Sequence, residues 1–237
     1  MNCRFTKEKV LVSVESHPNE HVNMNPFDFL AQDYDAWFEG EGEPIFSIES
    51  HALRELAPLL LSPGLEIGVG TGRFAEAIGI DCGLDPSAQA LAIGKTRGIN
   101  RVQAVGEKTP FINGAFGTVA LITTLCFVSS CREVLSEANR VLRDDGKVIM
   151  GLILKDSPWG KLYASKKKEG HPVYKNAAFR SYQDVAGMLE SVGFRIERVV
   201  STLFQIPGEV KDFEYPREGY FSDAGFVAIL AGKFNNC

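Results

Sequence analysis

Residues 65–74 read LEIGVGTGRF, with glycines at 68, 70 and 72 directly after a short apolar run and a glutamate two places before the first. Glycine allows a tight turn and lets backbone come close to a ligand. A helix opening just after the loop aims its free amides at the same point. Asp85 closes the next apolar segment, IDCGLD (80–85), where a carboxylate can accept both hydroxyls of a ribose. Glu66 bears on the sign of the ligand. An acid beside this loop opposes a pyrophosphate and suits an ammonium or a sulfonium. Together these residues point to close backbone approach by a nucleoside carrying positive charge. Two plainer roles stay open: Glu66 accepting loop amides, and Asp85 capping the helix that DPS opens. The dinucleotide fingerprint GxGxxG wants glycine where Arg73 stands. With Glu66, that weighs against a nicotinamide oxidoreductase.

The elements that must hold these residues alternate. Apolar runs predict strands at 65–68, 80–85, 101–105, 118–128, 147–154, 194–204 and 225–232. Helical spacing predicts helices at 73–78, 87–96, 131–142 and 181–191, the last with Ser181 and Asp184 as a partial capping box. Two amphipathic helices precede them, at 27–38 and at 47–61, separated by EGEGEP (39–44), with Pro58 ending or kinking the second. DDG (144–146) reads as a turn. Strands alternating with helices predict a parallel sheet covered on both faces. Residues 155–179 break the rhythm and are long for a connection, so they read as a lid or binding loop, as does 207–223. Residues 1–25 read as an arm with one edge strand at VLVSV (10–14), and 26–237 as a single domain.

The chain has 237 residues, 45% of them apolar, and a net charge of −5. That suits a globular domain and argues against nucleic acid or an anionic membrane surface as the main partner. With no spanning segment and no signal-peptide core, the expected location is cytoplasmic. Cys3, Cys82, Cys126, Cys131 and Cys237 form no CxxC pair and read as reduced thiols. His17 and His21 sit in HPNEH, where Pro18 speaks against a metal pair, and no metal site is expected. Lys166–Lys168 read as a solvated face.

LEIGVGTGRFA, then GLDPS, then GEKTPFINGAFGTVALITTLCFV, then EANRVLRDDGKVIM resemble the class I S-adenosylmethionine-dependent methyltransferases, closest to the small-molecule branch called type 11. The resemblance covers about residues 60–154 well. It implies an α/β, Rossmann-like doubly wound sheet of seven strands, mostly parallel, with an antiparallel last strand and helices on both faces. It implies S-adenosylmethionine as cofactor. Gly68, Gly70 and Gly72 would wrap its methionine part, with Glu66 ordering the loop and the ammonium's surroundings. Asp85 would hold the ribose and Pro86 pack near the adenine, with Gly106 and Glu107 capping the adenine edge. Thr124 would lie near the methionine, and Tyr34 and Trp37 on a helix that closes over the cofactor. Relatives often read DAE where this chain has Val105-Gly106-Glu107. TTLCFV also lacks the Asn-Pro-Pro-aromatic sequence of enzymes that methylate adenine or glutamine nitrogens.

Methyl transfer from a sulfonium needs mainly proximity and alignment, so the absence of a triad is expected. No catalytic residue is assigned. Tyr34, His171 and Tyr174 are candidate bases whose ordinary roles are packing or solvent exposure. The expected partner is a small-molecule acceptor, met by Trp159, Tyr163, Tyr174, Phe213, Tyr215 and Tyr220, aromatics that suit a partly apolar or cationic molecule. Two alternatives stand beside this: a methyltransferase-like module that binds cofactor without turnover, and a metalloid or thiol methyltransferase using Cys126.

Overall fold

The computed structural model describes residues 26–234. The arm, its expected strand at 10–14, the two histidines of HPNEH, Cys3 and Cys237 lie outside them.

The glycine loop hangs from the centre of a sheet. Its strands are β1 (Gly64–Ile67), β2 (Cys82–Asp85), β3 (Asn100–Gln103), β4 (Phe116–Ile122), β5 (Leu142–Leu152), β6 (Phe194–Thr202), β7 (Arg217–Glu218) and β8 (Phe226–Lys233). Their spatial order is β3-β2-β1-β4-β5-β8-β6-β7. The first five run parallel, β8 lies antiparallel between β5 and β6, and β7 pairs antiparallel with the end of β6. The strand order reverses between β1 and β4, and there a doubly wound sheet opens a crevice for ligand.

The helices are α1 (Pro26–Trp37), α2 (Glu43–Leu56), α3 (Arg73–Ile78), α4 (Ala88–Gly94), α5 (Cys131–Val141), α6 (Pro158–Lys168) and α7 (Tyr182–Ser191). Side-chain alternation along the strands splits the core in two. Val119, Leu121, Val148 and Met150 face α5 and α7. Ala120, Ile122, Ile149 and Leu230 face α2, α3 and α6. Serine caps recur: Ser87, Ser130, Ser157 and Ser181 each accept an amide of the first helical turn. Ser181 and Asp184 close a full capping box, both bonds at 3.1 Å.

Several boundaries differ from the sequence reading. The sheet has eight strands, not seven. The extra one, β7, is two residues long in a segment read as irregular, and an Arg198–Glu218 ion pair of 2.6 Å joins it to β6. β4 stops at Ile122 rather than Val128. Thr123 takes a φ of 49°, and buried Leu125 packs as part of a loop. An apolar run does not tell a buried strand from a buried turn. The DDG turn is a bulge inside β5, where pairing jumps from Phe116–Leu142 to Thr118–Lys147. α2 begins at Glu43, with Pro44 in its first turn, and ends at Leu56; Pro58 sits in a separate 3-10 turn, Ala57–Leu59. The expected lid at 155–179 contains α6. Its Trp159 is buried and donates to the Gln205 carbonyl at 3.0 Å, a tertiary anchor that periodicity could not show.

Candidate active site

A cavity of about 410 Å³ opens at the carboxyl ends of β1, β2 and β4. Tyr34, Glu66, Gly68, Gly70, Asp85, Pro86, Gly106, Glu107 and Thr124 all line it. Nine of the eleven expected residues thus meet, from five separate stretches of chain. The other two stand back. Gly72 caps α3 beneath Ile99, and Trp37 covers Gly42 in the turn between α1 and α2.

The loop's shape explains two of its glycines. Gly68 has a φ of 76°, and a Cβ there would overlap Thr124. Gly70 has a φ of 52° and nothing within 4 Å of where a Cβ would stand, so its backbone is bared to the cavity. L-residues resist that conformation. The loop is held by amides: Gly68 and Val69 donate to the Leu84 carbonyl at 2.7 and 3.0 Å.

Asp85 is 8% exposed. Its Oδ2 accepts the Gly70 amide and its Oδ1 the Ser87 amide, both at 2.8 Å. The helix cap is Ser87, not Asp85. Asp85 instead ties the glycine loop to the end of β2 while facing the cavity. Burial raises its pKa above the ordinary carboxylate value, and those two amides oppose the rise.

Glu66 is 1% exposed. Burial pushes its pKa well above the usual carboxylate range, Asp85 adds to the rise, and a hydrogen bond from the Ala75 amide opposes it. Its Oε2 has no partner among the described residues. A buried acceptor left open costs stability unless something fills it. Glu107 turns Oε1 toward the Ser129 and Ser130 amides, at 2.8 and 3.3 Å. It thereby fixes the entry to α5 beside the cavity.

A clamp that sequence reasoning missed closes the site from above. Asp35 on α1 receives Arg73 Nε at 2.8 Å, Thr71 Oγ1 at 2.6 Å and Arg97 at 3.1 Å. Arg73 also reaches Glu39 at 2.7 Å. Burial would raise the Asp35 pKa, but its bonds to Arg73, Thr71 and Arg97 outweigh that and hold it below the ordinary value. Asp28 accepts the Ser87 hydroxyl at 2.7 Å and fastens the same helix to α4. One signal was available: a cation inside a glycine loop needs an acid elsewhere.

The rear of the site is aromatic. Tyr34 packs edge-on against Phe38 at 5.0 Å and Phe27 at 5.9 Å. Tyr174 packs on Tyr163, with centroids 4.4 Å apart. Burial raises the pKa of both Tyr34 and Tyr174, so neither is a base at neutral pH. Val173 and Asn176 line the cavity, whereas His171 and Tyr174 do not. Cys126 faces a separate void of about 20 Å³ and donates to the Thr123 carbonyl, while Cys131 donates to the Leu125 carbonyl. Burial pushes the Cys126 thiol up to about 12, far from a thiolate. Among the described residues, no group of three or more His, Cys, Asp or Glu could hold a metal, and no helix is long and apolar enough to cross a membrane.

A family model described as a methyltransferase domain matches residues 65–150. An uncharacterized protein of Mycobacterium tuberculosis is 42% identical over 200 residues, covering 84% of this chain and 70% of that protein. One from Methanocaldococcus jannaschii is 41% identical, covering 89% of this chain and all of that one. A crystal structure from Thermotoga maritima, described as a SAM-dependent methyltransferase and possible histamine N-methyltransferase, is 32% identical with a TM-score of 0.78, covering 88% of this chain and 99% of that one. This chain belongs to the SAM-dependent methyltransferases. The methyltransferase carries the family's crevice where its strand order reverses, with a bare glycine loop on one side and buried acids around it.

Proposed function

We propose that the protein transfers a methyl group from S-adenosylmethionine to a small-molecule acceptor by in-line displacement. One observation carries the fit to this cofactor. The buried, unpartnered Oε2 of Glu66 belongs to a residue on the wall of a cavity whose floor is the bare backbone at Gly70. The cofactor's ammonium and sulfonium supply the positive charge that such an acid lacks.

In this reading Gly68 and Gly70 lie along the methionine part, Glu66 faces its ammonium, and Asp85 meets the ribose hydroxyls. Pro86, Gly106 and Glu107 border the adenine, Glu107 with the oxygen not given to Ser129. Thr124 and Tyr34 close the methionine end. Gly72 and Trp37 act one step back, by shaping the loop and the turn after α1. The cofactor contributes a methyl on a sulfonium, a good leaving group. The chain's own part is to align, to hold α1 shut through Asp35, and to keep water out. A small acceptor is supported by the modest cavity, about 410 Å³, and by the possible histamine N-methyltransferase activity described for the Thermotoga maritima relative. An intact loop and Asp85 speak against a decayed site, and measurable methyl transfer to an acceptor separates turnover from binding alone. The neutral, walled-off Cys126 speaks against thiol or metalloid chemistry.

Calorimetric titration with S-adenosylmethionine and S-adenosylhomocysteine tests this. Wild type should bind both, and Asp85→Ala should bind about tenfold more weakly or worse, roughly the loss of a hydrogen-bonded partner. A folded protein that binds neither refutes the reading.

A further inference from the structure

Beyond Tyr34 stands a cluster that cofactor binding leaves without a task. Glu49, on α2, is 5% exposed. Among the described residues no hydrogen bond or ion pair reaches its carboxyl, and burial alone acts on its pKa. Tyr34 from α1, Tyr163 from α6 and Tyr174 from the turn Tyr174–Asn176 are close enough to feel its charge. Tyr163 and Tyr174 pack with ring centroids 4.4 Å apart, and Phe179 stacks on Tyr163 at 6.0 Å. The cluster adjoins the cavity. Tyr34 and Thr123 line the wall, as do Val173 and Asn176 on either side of Tyr174.

A carboxyl placed there is costly in the empty protein, and an apolar side chain would cost less. What such a group lacks is a cation. A carboxylate among phenol rings offers an ammonium both a counter-charge and aromatic faces. A neutral acceptor gains nothing from the acid, and an anionic one is repelled.

We propose that Glu49, with Tyr34, Tyr163 and Tyr174, binds the ammonium group of an amine acceptor and so sets the substrate class of this methyltransferase. The proposal deepens the methyl-transfer reading and rests on it. Burial pushes Glu49 up to about 8, so at neutral pH the empty site is largely protonated. An arriving ammonium favours the carboxylate, so binding expels a proton. Amine affinity therefore rises with pH up to about 8. The groups facing Glu49 do not titrate there: burial raises the pKa of Tyr34, Tyr163 and Tyr174, and pushes nearby Cys126 up to about 12. Lys166 lies over the Tyr163 ring at 5.7 Å and His171 beside Tyr174 at 4.9 Å, so a His171→Gln control removes the imidazole packed on the cluster.

The test is calorimetry with phenethylamine and histamine against 2-phenylethanol and phenylacetate, with and without S-adenosylhomocysteine. Amines should bind in preference to the alcohol and the acid, releasing close to one proton at neutral pH when two buffers are compared. Glu49→Gln should weaken amine binding about tenfold or more and abolish the proton release. It should leave S-adenosylhomocysteine affinity unchanged. The same variant should melt no lower than wild type, with a gap that widens from about pH 5 to about pH 8, because over that range only wild type must take up a proton on folding to keep its buried acid neutral. Amine binding that survives in Glu49→Gln, equal binding of alcohol or acid, or no amine binding to wild type overturns the proposal. Failure to bind S-adenosylhomocysteine would remove the methyl-transfer reading instead, while the amine titration without it still decides the role of Glu49.

Discussion

The two ends of the cleft are built from different materials. The end toward β1 and β2 is backbone: Gly68 and Gly70 at positive φ, amides of Gly70 and Ser87 on Asp85, and one open acid, Glu66. The end toward α2 and α6 is side chain: Tyr34 lines the cavity, and Glu49, Tyr163 and Tyr174 stand behind it, the four drawn from four elements and supported by aromatic packing. Backbone recognition is tied to a short stretch whose conformation few residues can adopt. Side-chain recognition leaves the fold free to change what it holds. In the proposed reading the first end takes the invariant cofactor and the second the acceptor.

The largest blow to that contrast falls at the loop. Gly68→Ala combines a left-handed conformation with an overlap on Thr124, costing about 2–5 kcal/mol, and should abolish S-adenosylhomocysteine binding. Thermal melting and calorimetry check it. A variant that binds normally would show that the backbone end is adaptable after all.

Asp35→Asn should cost less, about 1–3 kcal/mol, because the Arg73 and Arg97 pairs it breaks keep some access to solvent. The expected signature is local, with faster amide exchange in α1 and quicker release of S-adenosylhomocysteine. The sign of its pH dependence follows from the lowered pKa. The stability Asp35 adds is present above its ordinary carboxylate pKa, near 4, and is lost as pH falls through its depressed value in the folded protein. Asp35→Asn should flatten that acid limb of the melting curve. If α1 exchanges no faster, the clamp does not couple the two ends.

Cys126→Ala should do least. It enlarges a void of about 20 Å³, costs about 1 kcal/mol and leaves methyl transfer within about twofold of wild type. An inactive but folded variant would return chemistry to the thiol.

Legibility in the sequence follows the same division. GVGTG and LDPS are contiguous, and their glycines and acid are demanded by local backbone geometry, so the chain states them directly. The strand–helix alternation was equally plain, because burial on both faces of a sheet writes continuous apolar runs. Asp35 was hidden because its three partners, Thr71, Arg73 and Arg97, lie 36 to 62 residues away. α6 was hidden because a buried tryptophan, not periodicity, holds it. Glu49 was hidden in an ordinary amphipathic helix, one acid among apolar neighbours that no local rule marks.

By itself the sequence determined the sheet, its crossover helices and the loop that opens at the strand-order reversal, since each rests on spacing within one or two elements. Only the tertiary structure decided how far β4 runs, that α1 locks over the loop, that Cys126 turns away from the cavity, and that Glu49 meets three tyrosines. Those outcomes depend on which side chains become neighbours once the chain is packed, and burial, charge pairing and ring contact have no counterpart in a linear pattern.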